Sequence, residues 1–231
     1  MKKYQKKDVL IYLNNIYTKT KDDRLNDFKV KLDIISLLEE TSKITKLSIS
    51  DLLTIIYFKP NSLNTEDLEA FLSELRAIIW LNNFGFSNIR PIKAKKDPQP
   101  DFLADYQNKK SAIEVFCLTQ AHEQRPEPLY KDKSLNVYVN FDPEFDSSKF
   151  GRDFISKAKN KKKQLDSLDK DIKIDIKILL CVVNSQPMVS LNKKDDWDKH
   201  AEYLYNKLNW GNNYYIGILT GLGDTIYPKI K

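Results

Sequence analysis

Cysteine and histidine are scarce in this chain, with two of each among 231 residues. No Cys/His spacing suited to zinc exists, and a histidine-based catalytic triad has only His122 and His200 to draw on. Cys117 and Cys181 fall in apolar, strand-like contexts, where buried free thiols are expected rather than a disulfide or redox pair. No apolar run approaches the roughly 20 residues needed to span a bilayer. The N-terminus, Met1-Lys2-Lys3-Tyr4-Gln5-Lys6-Lys7, is basic but lacks the apolar segment of a signal peptide. A cytoplasmic protein without a membrane partner is therefore the expectation. Internal repeats and low-complexity linkers are also missing.

What is present is an ordinary globular composition, 41% hydrophobic and 30% charged, long enough for one sizeable core. The net charge of +6 is unevenly spread. Lysines gather at residues 2–7, at 93–96 and above all in Lys157-Ala158-Lys159-Asn160-Lys161-Lys162-Lys163. Such clusters suit a polyanion, of which nucleic-acid phosphate is the common case.

Residues 1–60 read as an N-terminal helical region. Leu25, Phe28, Leu32, Ile35 and Leu38 recur at three- and four-residue steps, and Ser48 caps a short helix through Ile56. Lys59-Pro60-Asn61-Ser62 breaks the chain there. Residues 61–231 read as an α/β core. Its first helix opens at Asn64-Thr65-Glu66-Asp67 and is closed by Gly85. Rotation by about 100° per residue places Arg76 and Trp80 on the wet side and Glu74 on a packed flank. Short strands are expected around Ile89, over 102–104 and 112–118, over 136–141, at the end of 172–183 and over 214–219. Between them lie a long basic helix over 149–168, with Phe150, Phe154, Ala158 and Leu165 on its apolar stripe, and a helix over 195–208. The alternation Ile172, Ile174, Ile176, Ile178 places Lys173, Asp175 and Lys177 on an outward face. This order gives a mixed central sheet flanked by helices. Gly221-Leu222-Gly223-Asp224 follows a strand but opens no helix, so it reads as a turn and not a phosphate loop.

Chemistry concentrates in the hairpin formed by residues 100–116, whose arms are separated by Gln107-Asn108-Lys109-Lys110-Ser111. Glu114 interrupts an otherwise apolar run, and a carboxylate there must be paired, protonated or bound to a cation. Asp101 at the start of the first arm and Glu114 on the second can face one side. Glu114, Phe116 and Leu118 share that side, with Ile113, Val115 and Cys117 on the other. Converging carboxylates without histidine or cysteine make a hard-oxygen site suited to Mg²⁺ or Mn²⁺.

Pro100-Asp101, thirteen residues, then Glu114, with Glu74 on the preceding helix, resembles the PD-(D/E)xK nuclease superfamily. The resemblance covers roughly residues 65–183. It implies a restriction-endonuclease-like core of helix–strand–strand–strand–helix–strand, with Asp101 and Glu114 as metal ligands and Glu74 as an auxiliary one. It further implies a Mg²⁺- or Mn²⁺-dependent endonuclease acting on nucleic acid, double-stranded DNA foremost, with a restriction or defence role and homodimerisation left open. One departure stands out: the family lysine belongs two residues after Glu114, where this chain has Phe116. Either the lysine comes from the basic helix, with Lys157 and Lys161 the first candidates and Gln164 nearby, or the fold serves as a non-catalytic module binding nucleic acid or a protein. Gln120, on the same strand face as Phe116, is a weaker candidate for the site. The loop over 119–133, with His122, and the N-terminal helices are candidates for recognition.

Overall fold

The computed structural model describes residues 3–56, 58–93, 98–118, 130–132, 137–139, 147–169, 172–183, 194–220 and 224–230. Three helices come first: α1 (Lys6–Thr20), α2 (Phe28–Thr45) and α3 (Ile49–Ile55). Ser48 caps α3, its side chain accepting from the Asp51 amide. Leu38, Leu52, Leu53, Tyr12 and Leu13 join Leu68, Phe71 and Leu75 of the next helix in one apolar cluster. The expected stripe on α2 is displaced. Ile34 and Leu38 are buried, whereas Phe28 and Leu32 are exposed. Leu25 lies in a separate 3-10 turn (Asp23–Asn26), and Asp27 caps a new helix, so the helical period restarts with a different phase.

Helix α4 (Thr65–Phe84) links this cluster to the sheet. Asn64 accepts from the Glu66 amide at its start, and Gly85 (φ 102°) closes it in the left-handed conformation that glycine adopts without strain. Trp80, expected on the wet side, is buried against Phe84 (ring centroids 5.1 Å apart) and the sheet cluster. Trp80 and Leu81 face the sheet there, while Asn82, Asn83 and Phe84 in the last turn stay exposed.

Six strands form one mixed sheet in the order β1 (Ser87–Pro91), β2 (Phe102–Tyr106), β3 (Lys109–Leu118), β6 (Ile176–Val183), β7 (Tyr214–Leu219), β8 (Thr225–Tyr227). The pairs β1–β2, β2–β3 and β7–β8 are antiparallel, while β3–β6 and β6–β7 are parallel. Between β3 and β6 in sequence, β4 (Tyr130–Asp132) and β5 (Val137–Val139) pair with each other in a separate two-stranded sheet. The hairpin loop is tighter than the five residues expected. Gln107 (φ 47°) and Asn108 (φ 65°) alone make the turn, and Lys109 already pairs with Tyr106. Strand β8, not expected, returns antiparallel to β7 after residues 221–223, which lie outside the described residues; Asp224 accepts from the Thr220 amide there.

The two sheet faces are covered differently. Ile113, Val115, Ile178 and Leu180 pack against α4. Ala112, Phe116, Leu118, Leu179 and Cys181 pack against α5 (Ser147–Asp166) and α6 (Lys194–Leu208), with Phe154, Ala158, Leu165, Trp197 and Leu204. Lys177 departs from the outward position expected of it. It sits on the α5 side of β6, only 3% exposed. No helix among the described residues is long and apolar enough to cross a membrane.

Candidate active site

The β2–β3 register pairs Phe102 with Ile113 and Leu103 with Ala112. Continued by one residue, that register sets Asp101 opposite Glu114, where side chains on one face lie about 5 Å apart at Cβ. Asp101 is held in place by its neighbours. Its Oδ2 accepts the Val115 amide at 2.7 Å, and its carbonyl accepts the Ile92 amide at 2.8 Å. The chain entering it is tied to α5, since Gln164 Nε2 donates to the Gln99 carbonyl at 3.2 Å.

Glu114 is fully buried, at 0% exposure. Its Oε1 receives Lys161 Nζ at 2.5 Å, while its Oε2 has no hydrogen-bond partner among the described residues. An orphaned buried carboxylate oxygen is costly, and it invites a proton or a cation. Glu74, half-buried on α4, lines a cleft of about 630 Å³ with Asp101, Phe116, Cys117, Lys157 and Lys161, the last of which reaches the buried Glu114. The helix flank expected of Glu74 therefore opens onto the cleft.

Of the expected lysines, the structure brings Lys161 to the acids. Lys157 Nζ donates to the Cys117 carbonyl at 2.9 Å, at the cleft wall, and Lys159 and Lys163 are exposed. Phe116 cannot exchange roles with Lys161. It is buried, and its ring meets Phe154 edge-on at 5.1 Å. Gln120 and His122 lie outside the described residues; His200 packs beside Phe150 and Trp197. Cys117 is half-buried, Cys181 is buried, and neither is in a disulfide.

Burial governs the electrostatics. It pushes the Glu114 carboxyl up to about 8, with the Asp101 charge adding to the rise and Lys161 opposing it. Burial likewise raises Asp101 to about 6, against the pull of the Val115 amide and Lys161. Glu74 is driven well above the usual carboxylate range by burial, then by Asp101 and Glu114. The Lys161 contact is thus too weak to offset the loss of water and the crowding of like charges. The donors are hard carboxylate oxygens, and the free Oε2 of Glu114 fits a hard divalent cation. No group of three or more His, Cys, Asp or Glu side chains converges to hold a metal ion among the described residues.

Sequence reasoning missed a second polar cluster beneath α5. Lys177 Nζ donates to Asp166 Oδ1 at 2.7 Å and to Asp169 Oδ2 at 2.5 Å. Lys162 Nζ donates to Asp166 Oδ2 at 2.6 Å and to the Tyr214 hydroxyl at 2.9 Å, and that hydroxyl donates to Asp166 Oδ1. The signal was available. Lys177 interrupts the apolar run of β6 as Glu114 interrupts that of β3. Compared with protein families, curated proteins and solved structures, the chain finds no match in any of the three.

Proposed function

We propose that the chain is a metal-dependent endonuclease of PD-(D/E)xK type, with a restriction-endonuclease-like core, hydrolysing DNA phosphodiesters. The observation that carries this reading is that Asp101 and Lys161 line one cleft and Lys161 meets the buried Glu114, with the lysine supplied by α5 instead of the strand. The order α4, β1, β2, β3, α5, β6 supports it, being helix–strand–strand–strand–helix–strand apart from the small β4–β5 sheet.

Asp101 and Glu114 would hold Mg²⁺ or Mn²⁺, with Glu74 as the auxiliary carboxylate. When bound, such a cation polarises the phosphate and lowers the pKa of water. Lys161 then orients the attacking water and meets charge developing on phosphorus-bound oxygen. One P–O bond forms to water, and one breaks to the leaving alcohol. Lys157, at the cleft wall, contacts a flanking phosphate, and the exposed lysines of α5 hold the nucleic-acid backbone. A supercoiled-plasmid nicking assay with Mg²⁺ or Mn²⁺ tests this. Wild type nicks, whereas Asp101→Ala and Glu114→Ala lose at least about a hundredfold in rate; undiminished nicking by both variants removes the site assignment.

The second reading is a non-catalytic nucleic-acid-binding module. The raised carboxyl pKa values and the Lys161–Glu114 contact favour it, because a neutralised acid cluster makes a stable core without metal. Salt-sensitive DNA binding without any metal-dependent cleavage would select it.

A further inference from the structure

The apolar stripe of α5 has a gap. Phe150, Phe154 and Ala158 are buried at four-residue steps, and Leu165 resumes the stripe. The positions that should continue it, three and four residues beyond Ala158, hold Lys161 and Lys162. These two lysines leave the helix toward different strands. Lys161 reaches Glu114 on β3, and Lys162 reaches the Tyr214 hydroxyl at the start of β7. In the sheet β6 lies between those strands, so α5 spans it with one lysine on either side.

The space beneath the gap is filled by Lys177 of β6. Its buried ammonium binds Asp166 in the last turn of α5 and Asp169 just beyond it. Burial alone would lower the pKa of Lys177; the hydrogen bonds with Asp166 and Asp169 more than offset this and leave it raised. Two cations and two carboxylates balance, with Tyr214 bridging Lys162 and Asp166. An apolar seam resists separation of a helix from a sheet but permits small rotation and sliding. Directional hydrogen bonds from a buried lysine fix both.

We propose that Lys177 and Tyr214 are positioning residues. Through Asp166 and Lys162 they set the rotation of α5, and so hold the Lys161 ammonium against Glu114. The inference deepens the endonuclease reading, since Lys161 is the residue that reading assigns to the water and phosphate. Its test does not require cleavage.

The experiment is reductive methylation of the full chain with formaldehyde, metal-free, the rate at each lysine read by peptide mass spectrometry. Lys173, whose side chain is 91% exposed, serves as the internal reference. In wild type Lys161 reacts slowly relative to Lys173. In Tyr214→Phe, which keeps the ring and loses both hydroxyl contacts, Lys161 becomes at least fivefold more reactive while Lys173 is unchanged. Lys177→Met gives a larger increase. If Lys177→Met does not fold, Tyr214→Phe alone decides the matter. A folded Tyr214→Phe protein with Lys161 as protected as in wild type overturns the proposal, whether or not wild type cleaves DNA. If wild type does cleave, Tyr214→Phe lowers kcat about tenfold with KM unchanged. A KM change alone, with Lys161 still protected, marks a merely structural role and also overturns it.

Discussion

Lys161 on α5 and Glu114 on β3, 47 residues apart in the chain, meet at 2.5 Å where the nuclease motif would place a strand lysine only two residues from its glutamate. The ammonium comes to the carboxylate from the opposite layer. The strand position that a lysine would need, Phe116, belongs instead to the core beneath α5.

Lys161→Met is therefore expected to lower metal-dependent cleavage by about 10²- to 10³-fold, the usual loss when one charge-stabilising donor is removed. Manganese affinity should be kept or improved, because the resident cation beside Glu114 has gone. Lys157→Met, whose ammonium lies on a backbone carbonyl, should cost less than about tenfold. Single-turnover rates under saturating Mn²⁺ separate the two.

Phe116→Lys does not restore a strand lysine in this chain. The side chain would enter an apolar cluster against Phe154, close to a second cation, and an unpaired buried charge costs several kcal/mol. Urea unfolding should show a loss of about 3 kcal/mol or more. The double variant Lys161→Met with Phe116→Lys should stay inactive; recovered cleavage would show that the strand position can still serve.

The acid cluster makes stability depend on pH in a stated direction. Glu114 and Asp101 have folded pKa values above their unfolded ones, so the folded state holds extra protons as pH rises from about 4 to about 8. The stability they contribute is complete below the unfolded values and is lost as pH rises through about 6 for Asp101 and about 8 for Glu114. Metal-free protein should be less stable at pH 8.5 than at pH 5.5. Glu114→Gln, which mimics the protonated form, should flatten that difference. An unchanged pH profile in Glu114→Gln would contradict the placement of a buried, proton-binding carboxyl there.

Lys159 and Lys163 project into solvent on the helix that supplies Lys161. If α5 follows a nucleic-acid backbone, each Lys→Gln change should reduce the slope of log affinity against log salt by about 0.9 without altering the saturated cleavage rate. Fluorescence anisotropy with a labelled duplex at several salt concentrations measures this. Slopes equal to wild type would place the DNA elsewhere.

Much of this arrangement was readable from residue order. A glutamate inside an apolar strand, an aspartate on the opposed arm and capped helix ends are local signals, and they appear where their chemistry puts them. The phase of α2 was not readable, because it depends on where Asp27 restarts the helix. Within the run of five lysines the apolar stripe singled out Lys157 and Lys161, but which of these two reaches Glu114 depends on how α5 is rotated over the sheet. Lys177 was misassigned by strand alternation. The alternation itself is correct, but the face it assigns to Lys177 is the one that α5 covers, and only the partners Asp166 and Asp169 make burial of the lysine tolerable.

The endonuclease reading requires Asp101 and Glu114 together to hold a divalent cation. Electron paramagnetic resonance of added Mn²⁺, counting bound against free ion at pH 7.5, is the decisive measurement. One saturable site is expected in wild type, lost in both Asp101→Asn and Glu114→Gln and weakened in Glu74→Gln. No bound Mn²⁺ in wild type, or equal binding in the two principal variants, would contradict it.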